Sequence, residues 1–334
     1  MRQLMISLDK KIFDESSAVA QRMIDYERES ELSIIVPCSE RIIKKFGNSI
    51  IAAGSGGASK ILQFFNLYQI GKESFKKNTI DAITCQDPFF TGVIGVLLKN
   101  RFHVPLEIQL HGDFFNQLSG GGTYEYPWWR RKLGLWTLKR ANRVRTVSQR
   151  VRESLVNLGF QSDSIIIRPA ISERDVLYRK IVHQPLDLRA LYPGYEKFFI
   201  VMGRLDPIKN IAWLLMVFKE YVEEGGRAAL IVVGEGEEKE HLTVLAKKLG
   251  LLQKNVFFVP WTSNPYSYYL AANAVILPSR SESYGRVVME ASAVGTTVIM
   301  SDVGVAGYEL KPGSKVMIFP VNDSEGFKKA MLAI

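Results

Sequence analysis

Two carboxylates, Glu282 and Glu290, lie eight positions apart in the run Pro278-Ser-Arg-Ser-Glu-Ser-Tyr-Gly-Arg-Val-Val-Met-Glu290. The apolar residues 274–277 before them read as a buried strand and the Ser-rich stretch as its exit loop. Residues 284–294 then read as a helix that Gly295 stops. One carboxylate therefore sits in a strand-exit loop and the other inside a helix, roughly 9 Å along the axis at a 1.5 Å rise per residue. That separation suits two parts of one extended ligand, not an acid/base pair on a single atom. The competing reading is a helical ion pair between Arg286 and Glu290, worth about 0.3–0.5 kcal/mol.

A second group of chemistry-bearing residues follows another apolar run, in Gly203-Arg-Leu-Asp-Pro-Ile-Lys-Asn210. Gly203 frees the backbone, and Arg204 and Lys209 bring two positive charges to a strand end. A guanidinium fork and a compact ammonium are the groups that hold a diphosphate. The alternative is that Arg204 pairs with Asp206 and Lys209 is a solvated helix-start residue. Ser283, Tyr284 and Gly285 would add backbone N–H groups at a helix start, which attracts anions. The pair of glycines in Gly234-Glu235-Gly236 imitates a dinucleotide fingerprint, but its third glycine would fall at Lys239. A tight turn and a contact to a nucleotide base both remain open there. His111, in His111-Gly-Asp-Phe-Phe115, ends a further strand and is structural unless it faces the phosphate cradle.

Three of the five tryptophans fall in Tyr124-Glu-Tyr-Pro-Trp-Trp-Arg-Arg-Lys-Leu-Gly-Leu-Trp-Thr-Leu-Lys-Arg140. Trp128, Trp129, Arg130, Arg131 and Lys132 could rest on an anionic membrane, with rings at the interface and cations on headgroups. The plainer reading is a surface helix whose Trp136 and Leu138 pack on the sheet. No motif for nucleic acid accompanies these aromatics.

A chain of 334 residues has room for two domains of about 100–200 residues each. With 47% hydrophobic and 23% charged residues it is a folded globular chain, which excludes a disordered or low-complexity protein. Its net charge of +9 calls for an acidic partner: nucleic acid, an anionic membrane face or a phosphorylated small molecule. Cys38 and Cys85 read as reduced thiols at strand ends. His103, His111, His183 and His241 show no metal-ligand spacing. No apolar run approaches the ~20 residues of a spanning helix. The N-terminus turns polar too soon for a signal peptide, so the expected location is cytoplasmic, at most peripheral at the inner membrane face.

The elements that must position these groups recur as strands at residues 4–8, 32–36, 49–53, 80–85, 105–110, 143–147 and 164–168. A second series falls at 198–202, 228–233, 256–259, 274–277, 297–300 and 315–319. Most are separated by helical patterns, which indicates two α/β domains with parallel, doubly wound sheets whose strand ends can face one another across a cleft. The polar stretch between the two series places a linker at 178–197, after a domain at 1–177 and before one at 198–334.

In this order the motifs resemble the retaining glycosyltransferases of family 4, with the GT-B fold. The resemblance rests on Glu282 and Glu290, on Gly203 to Asn210, on Gly234-Glu-Gly236, and on Ala141-Asn-Arg-Val-Arg-Thr-Val-Ser-Gln149. It implies an acceptor-side domain, then a domain that binds a nucleotide sugar. The implied reaction moves a hexose from a UDP- or GDP-sugar to a glycan or lipid-linked acceptor, in cell-surface polysaccharide or glycolipid synthesis. The resemblance implies no metal, no separate cofactor and no nucleic acid. It gives the diphosphate to Arg204 and Lys209, the ribose hydroxyls to Glu290 and the transferred sugar to Glu282. His111 would approach that sugar from the N-terminal domain, and Gly203, Ser283, Tyr284, Gly285, Gly234 and Glu235 would line the donor site. The chain departs from the family at Leu8-Asp-Lys-Lys-Ile12, which lacks the usual Gly pair, and at Arg168-Pro-Ala-Ile-Ser172, where Asn-Gly is usual after the proline. It also stops where the family adds helices that cross back to the first domain. A nucleotide-sugar epimerase of the same fold and a non-catalytic membrane- or polyanion-binding module are the remaining readings.

Overall fold

A strand covered on both faces must be apolar at successive positions, and this is the pattern that builds both sheets. The computed structural model describes residues 1–27, 30–112, 114, 127–169 and 184–334. These form two compact units, one mainly from the first 168 residues and one mainly from Pro169–Ile334.

The first unit holds β1 (Arg2–Ile6), β2 (Glu31–Val36), β3 (Ile43–Phe46), β4 (Ile50–Gly54), β5 (Ala82–Cys85), β6 (Leu106–Leu110), β7 (Arg143–Thr146) and β8 (Ile165–Ile167). Their order is β3-β4-β2-β1-β5-β6-β7-β8, parallel except that β3 runs antiparallel to β4. The seven strands expected from the sequence are present. The unexpected one, β3, is an edge strand of sequence IKKF with Ile43, Lys44 and Lys45 exposed, so it lacks an apolar run. Charged edge strands of this kind resist pairing with other chains.

The second unit holds β9 (Lys197–Met202), β10 (Ala228–Val233), β11 (Val256–Val259), β12 (Ala274–Leu277), β13 (Thr297–Ser301) and β14 (Val316–Phe319). All are parallel, in the order β11-β10-β9-β12-β13-β14. Alternation along β9 feeds two cores: Phe198, Ile200 and Met202 pack with Tyr266, Tyr269 and Val288, while Phe199 and Val201 pack with Leu214, Phe218 and Phe327. Residues 178–183 of the expected linker lie outside the described residues. Its remainder contains a short helix, Leu188–Leu191, whose Leu188 is buried in the core of the second unit.

The chain enters this sheet at β9, winds outward to β11 and returns to β12 on the other side of β9. The loops leaving β9 and β12 therefore diverge and open a crevice at the carboxyl ends of the strands. Main-chain bonds fix one wall of it. Gly203 N–H donates to Val233 O at 3.0 Å, Leu205 N–H to Glu235 O at 2.8 Å, and Glu238 N–H to Leu205 O at 3.0 Å. This zipper accounts for the glycines of Gly234-Glu-Gly236. A Cβ on Gly234 would lie 1.9 Å from Gly203 O, and one on Gly236 would lie 2.2 Å from Leu205 O. Both glycines permit one strand-exit loop to lie flat on the next.

Gly234→Ala is accordingly expected to destabilise the second unit by about 1–3 kcal/mol, the usual range for overpacking. The measurement is the melting temperature of the variant beside the parent chain. An unchanged value would show that the two loops part freely.

Candidate active site

The loop after β9 is organised by Asp206. Its carboxylate caps the turn Pro207–Lys209 by accepting Lys209 N–H at 3.2 Å, and its other oxygen accepts Arg204 Nε at 2.9 Å. Proline just inside such a capped start is pre-set in φ. Arg204 itself is 79% exposed, so its pair with Asp206 is a surface contact of about 0–1 kcal/mol that a ligand can displace. Of the two sequence alternatives, the Arg204–Asp206 pair is formed.

Lys209 is not a solvated helix-start residue. Its Nζ lies 2.5 Å from Glu282 Oε1, and the Ser279 hydroxyl donates to the same oxygen at 2.8 Å. The two side chains are 22% and 13% exposed, so this ion pair is largely shielded from water. A pocket lined by Met202, Gly203, Arg204, Lys209, Pro278 and Ser279 opens beside it. The groups that the sequence assigned to the diphosphate and to the sugar are thus in direct contact across the β9–β12 crevice.

The Arg286–Glu290 ion pair, the competing reading of these residues, is also formed: Arg286 Nε donates to Glu290 Oε1 at 2.7 Å. The Tyr269 hydroxyl donates to Oε2 at 3.1 Å. Glu290 is only 4% exposed, and a buried carboxylate requires such partners. Burial, and then the adjacent Glu290 charge, hold the Tyr269 phenol well above its usual pKa, so it remains the donor. The helix runs over Arg286–Ala293, two residues later than expected, with Gly285 at φ +96° before it. Tyr284 is buried among the core residues Val288 and Val305, and its carbonyl accepts Val305 N–H at 2.8 Å. Its side chain is therefore a packing element. Glu235 is exposed and paired with Lys239 at 2.8 Å.

Sequence reading named Asp206 only as a partner for Arg204 and missed its capping bond, and it missed Ser279 and Tyr269. The Asp-Pro dipeptide at 206–207 is a readable cap signal. Ser279 and Tyr269 carry none, because only the fold brings them to Glu282 and Glu290.

His111 belongs to the first unit, after β6. Its Nε2 lies 3.2 Å from Gln109 Oε1, an amide oxygen that can only accept, so this nitrogen carries the proton. Gln109 Nε2 in turn donates to Thr84 Oγ1 at 2.9 Å, and that hydroxyl donates to Glu107 Oε1 at 3.3 Å. The neutral ring thus offers the lone pair on Nδ1. Part of the residue is open to solvent. Even so, the protein packed around the imidazole, and then the charges of Arg145 and Arg22, lower its pKa from 6.5 to about 4.

In the helix Trp128–Leu138, Trp128 and Trp129 are 70% and 55% exposed, while Gly134, Thr137 and Leu138 are buried. Lys132 Nζ sits 4.8 Å from the centre of the Trp128 ring. Tyr124, Glu125 and Tyr126 of this segment lie outside the described residues. Among the described residues no group of three His, Cys, Asp or Glu side chains could hold a metal ion, and no helix is long and apolar enough to cross a membrane.

The His111 shift has a defined sign. Between its ordinary pKa of 6.5 and about 4 the unfolded chain binds this proton and the folded chain does not. Stability contributed by neutral His111 is complete above about pH 6.5 and declines as pH falls towards 4. Melting temperatures of the parent chain and His111→Gln, compared from pH 7.5 downward, should diverge in that window. A constant difference would contradict the shift.

Residues 190–334 match the family Glycosyl transferases group 1, and residues 49–173 match Glycosyltransferase Family 4. An uncharacterised glycosyltransferase of Methanocaldococcus jannaschii is 34% identical over 110 residues, covering 33% of this chain and 28% of that protein. A second from the same organism is 22% identical over 278 residues, covering 82% of this chain and 71% of that protein. The chain therefore matches just over a quarter of the length of the first of these relatives. Among solved structures, Anabaena HepE in complex with UDP superposes with a TM-score of 0.75 at 16% identity, over 100% of this chain and 89% of that one. At that identity the likeness is one of fold. With one family matched in each half and two parallel-sheet α/β units of this topology, the chain is a family-4-like glycosyltransferase of GT-B fold.

Proposed function

We propose that the protein moves a hexose from a nucleotide diphosphate sugar to a hydroxyl of a glycan or lipid-linked acceptor, with retention at the anomeric carbon, in the synthesis of a cell-surface polysaccharide or glycolipid. The observation that carries this reading is the Lys209–Glu282 pair in the β9–β12 crevice, with Arg204 at its rim. The family matches support a nucleotide-sugar donor, and the UDP bound by the HepE neighbour supports a uridine nucleotide.

In the reaction the bond between the anomeric carbon and a diphosphate oxygen breaks, and negative charge develops on the departing diphosphate. Arg204 and Lys209 supply fixed positive charge to that group, which is where transition-state stabilisation is largest. As Lys209 turns to the diphosphate, Glu282, still held at Oε1 by Ser279, presents its second oxygen to a hydroxyl of the transferred sugar. Glu290 retains Arg286 and Tyr269 and still has lone pairs for the ribose hydroxyls, since each carboxylate oxygen can accept twice. The leaving phosphate oxygen takes the acceptor proton on the same face, so no protein base is assigned. His111 offers Nδ1 as an acceptor for a substrate hydroxyl. No metal or separate cofactor enters the scheme.

Arg204→Ala should lower turnover by about 10²- to 10³-fold, the range for losing one transition-state donor, while the melting temperature is retained. The donor is first found by thermal shift across uridine, guanosine and adenosine diphosphate sugars, since binding to the folded chain alone raises its melting temperature. Unchanged turnover on that donor would remove the diphosphate role of Arg204. An isomeric nucleotide sugar formed without any acceptor would replace transfer by epimerisation.

We also place the enzyme on the cytoplasmic side, peripheral to an anionic membrane through Trp128, Trp129, Arg130, Arg131 and Lys132. Exposed indoles beside basic side chains are the supporting observation. Vesicles rich in phosphatidylglycerol should sediment the parent chain at low salt and release the double variant Trp128→Ala, Trp129→Ala. Failure of the parent chain to sediment would overturn the placement.

A further inference from the structure

Asn210 stands next to Lys209, is 3% exposed, and has a left-handed backbone at φ +57°. That conformation costs a typical L-residue roughly 1–2 kcal/mol, with asparagine among the more tolerant. Its side chain makes three hydrogen bonds. Nδ2 donates to Pro278 O at 3.1 Å and to Asn322 Oδ1 at 2.9 Å, while Oδ1 accepts Arg280 Nε at 3.1 Å. Arg280 N–H returns a bond to Ile208 O at 2.8 Å. Asn322, itself at φ +66°, lies between β14 and the helix Ser324–Ala333. One buried amide thus ties together the loops that leave β9, β12 and β14.

Two of those loops carry the reacting charges. Lys209 precedes the hub directly, and Ser279 and Glu282 share the segment anchored through Pro278 O and Arg280. Lysine has a flexible four-carbon stem, so an unanchored Lys209 could still find a bound diphosphate. Charge stabilisation during bond breaking requires the ammonium to be fixed beforehand.

We infer that Asn210, with Arg280 and Asn322, is a positioning residue that holds Lys209 and Glu282 at the geometry of the transition state. This rests on the reading of Lys209 as the counter-charge of the donor diphosphate. It predicts a loss in kcat with little change in donor affinity, because the amide of Asn210 is buried and bonded to protein groups.

The test is Asn210→Gly, which keeps the left-handed backbone and deletes only the amide. It should lower kcat by about 10- to 100-fold, as expected for a misplacement near 1 Å, with donor Kd within about threefold of the parent. Asn322→Ala, which removes one leg and leaves Asn210 in place, provides a milder variant should the glycine variant fold poorly, and should lower kcat in the same direction. The discriminating measurement is non-additivity. In a Lys209→Ala background either substitution should lower kcat by less than it does in the parent chain, the remainder acting through Glu282. Full additivity would make the hub a general structural element and overturn the inference, as would unchanged kcat in both single variants. If Lys209→Ala itself leaves turnover unchanged, the diphosphate reading fails first, and the hub inference with it.

Discussion

The reversal of winding between β9 and β12 is the constraint on which the site depends. In a parallel sheet each strand end delivers its loop to the same edge, and neighbouring loops ordinarily cover one another. Where the chain enters at β9, builds outward to β11 and returns at β12, the two central loops turn away from each other. Side chains span the space between them, Lys209 meeting Glu282 and Asn210 meeting Pro278 and Arg280. Arg204 and Lys209 occupy one lip, Ser279 and Glu282 the other. The closeness of Gly234 and Gly236 to the carbonyls of Gly203 and Leu205 keeps the first lip pressed against its neighbour.

The second organising feature is that the site's charges arrive already paired. Arg204 rests on Asp206, Lys209 on Glu282 and Arg286 on Glu290. These pairs differ in cost to disturb. Arg204 is mostly solvated and leaves Asp206 at little expense, whereas Asp206 keeps its capping bond to Lys209 N–H. Lys209 and Glu282 are mostly shielded, so separating them leaves a charge that must be compensated at once. Glu290 is buried with two donors and is the least free to change partners.

Much of the fold was legible because parallel strands are apolar along their whole length. Each of the 13 expected runs corresponds to a strand within two residues at its ends. The strand without an apolar run, β3, was not legible. Within the site, Arg204, Lys209 and Glu282 were found because charged residues in a strand-exit loop have few purely structural uses. Their mutual pairing was not legible, since it depends on β9 and β12 being neighbours although they are about 75 residues apart in the chain. The same holds for Tyr269 beneath Glu290 and for the three loops meeting at Asn210. The Arg286–Glu290 pair shows a different limit: a ligand role and an ion pair read as competitors in the sequence, although a carboxylate has enough lone pairs for both.

Pairing of the charges also bears on what the crevice would select under the proposed function. A bare anion that draws Lys209 away leaves Glu282 with Ser279 as its remaining donor, in surroundings where an uncompensated carboxylate is expensive. A nucleotide sugar brings the anion for Lys209 and, on the same molecule, hydroxyls for Glu282. Its two ends satisfy both halves of the pair that it separates. Discrimination between a complete donor and its diphosphate fragment then comes from the pre-formed ion pair, because only the complete donor leaves no buried charge without a partner. Under the proposed function the Lys209–Glu282 contact, which at first sight competes with substrate, would be the element that makes the crevice specific for a sugar attached to a diphosphate.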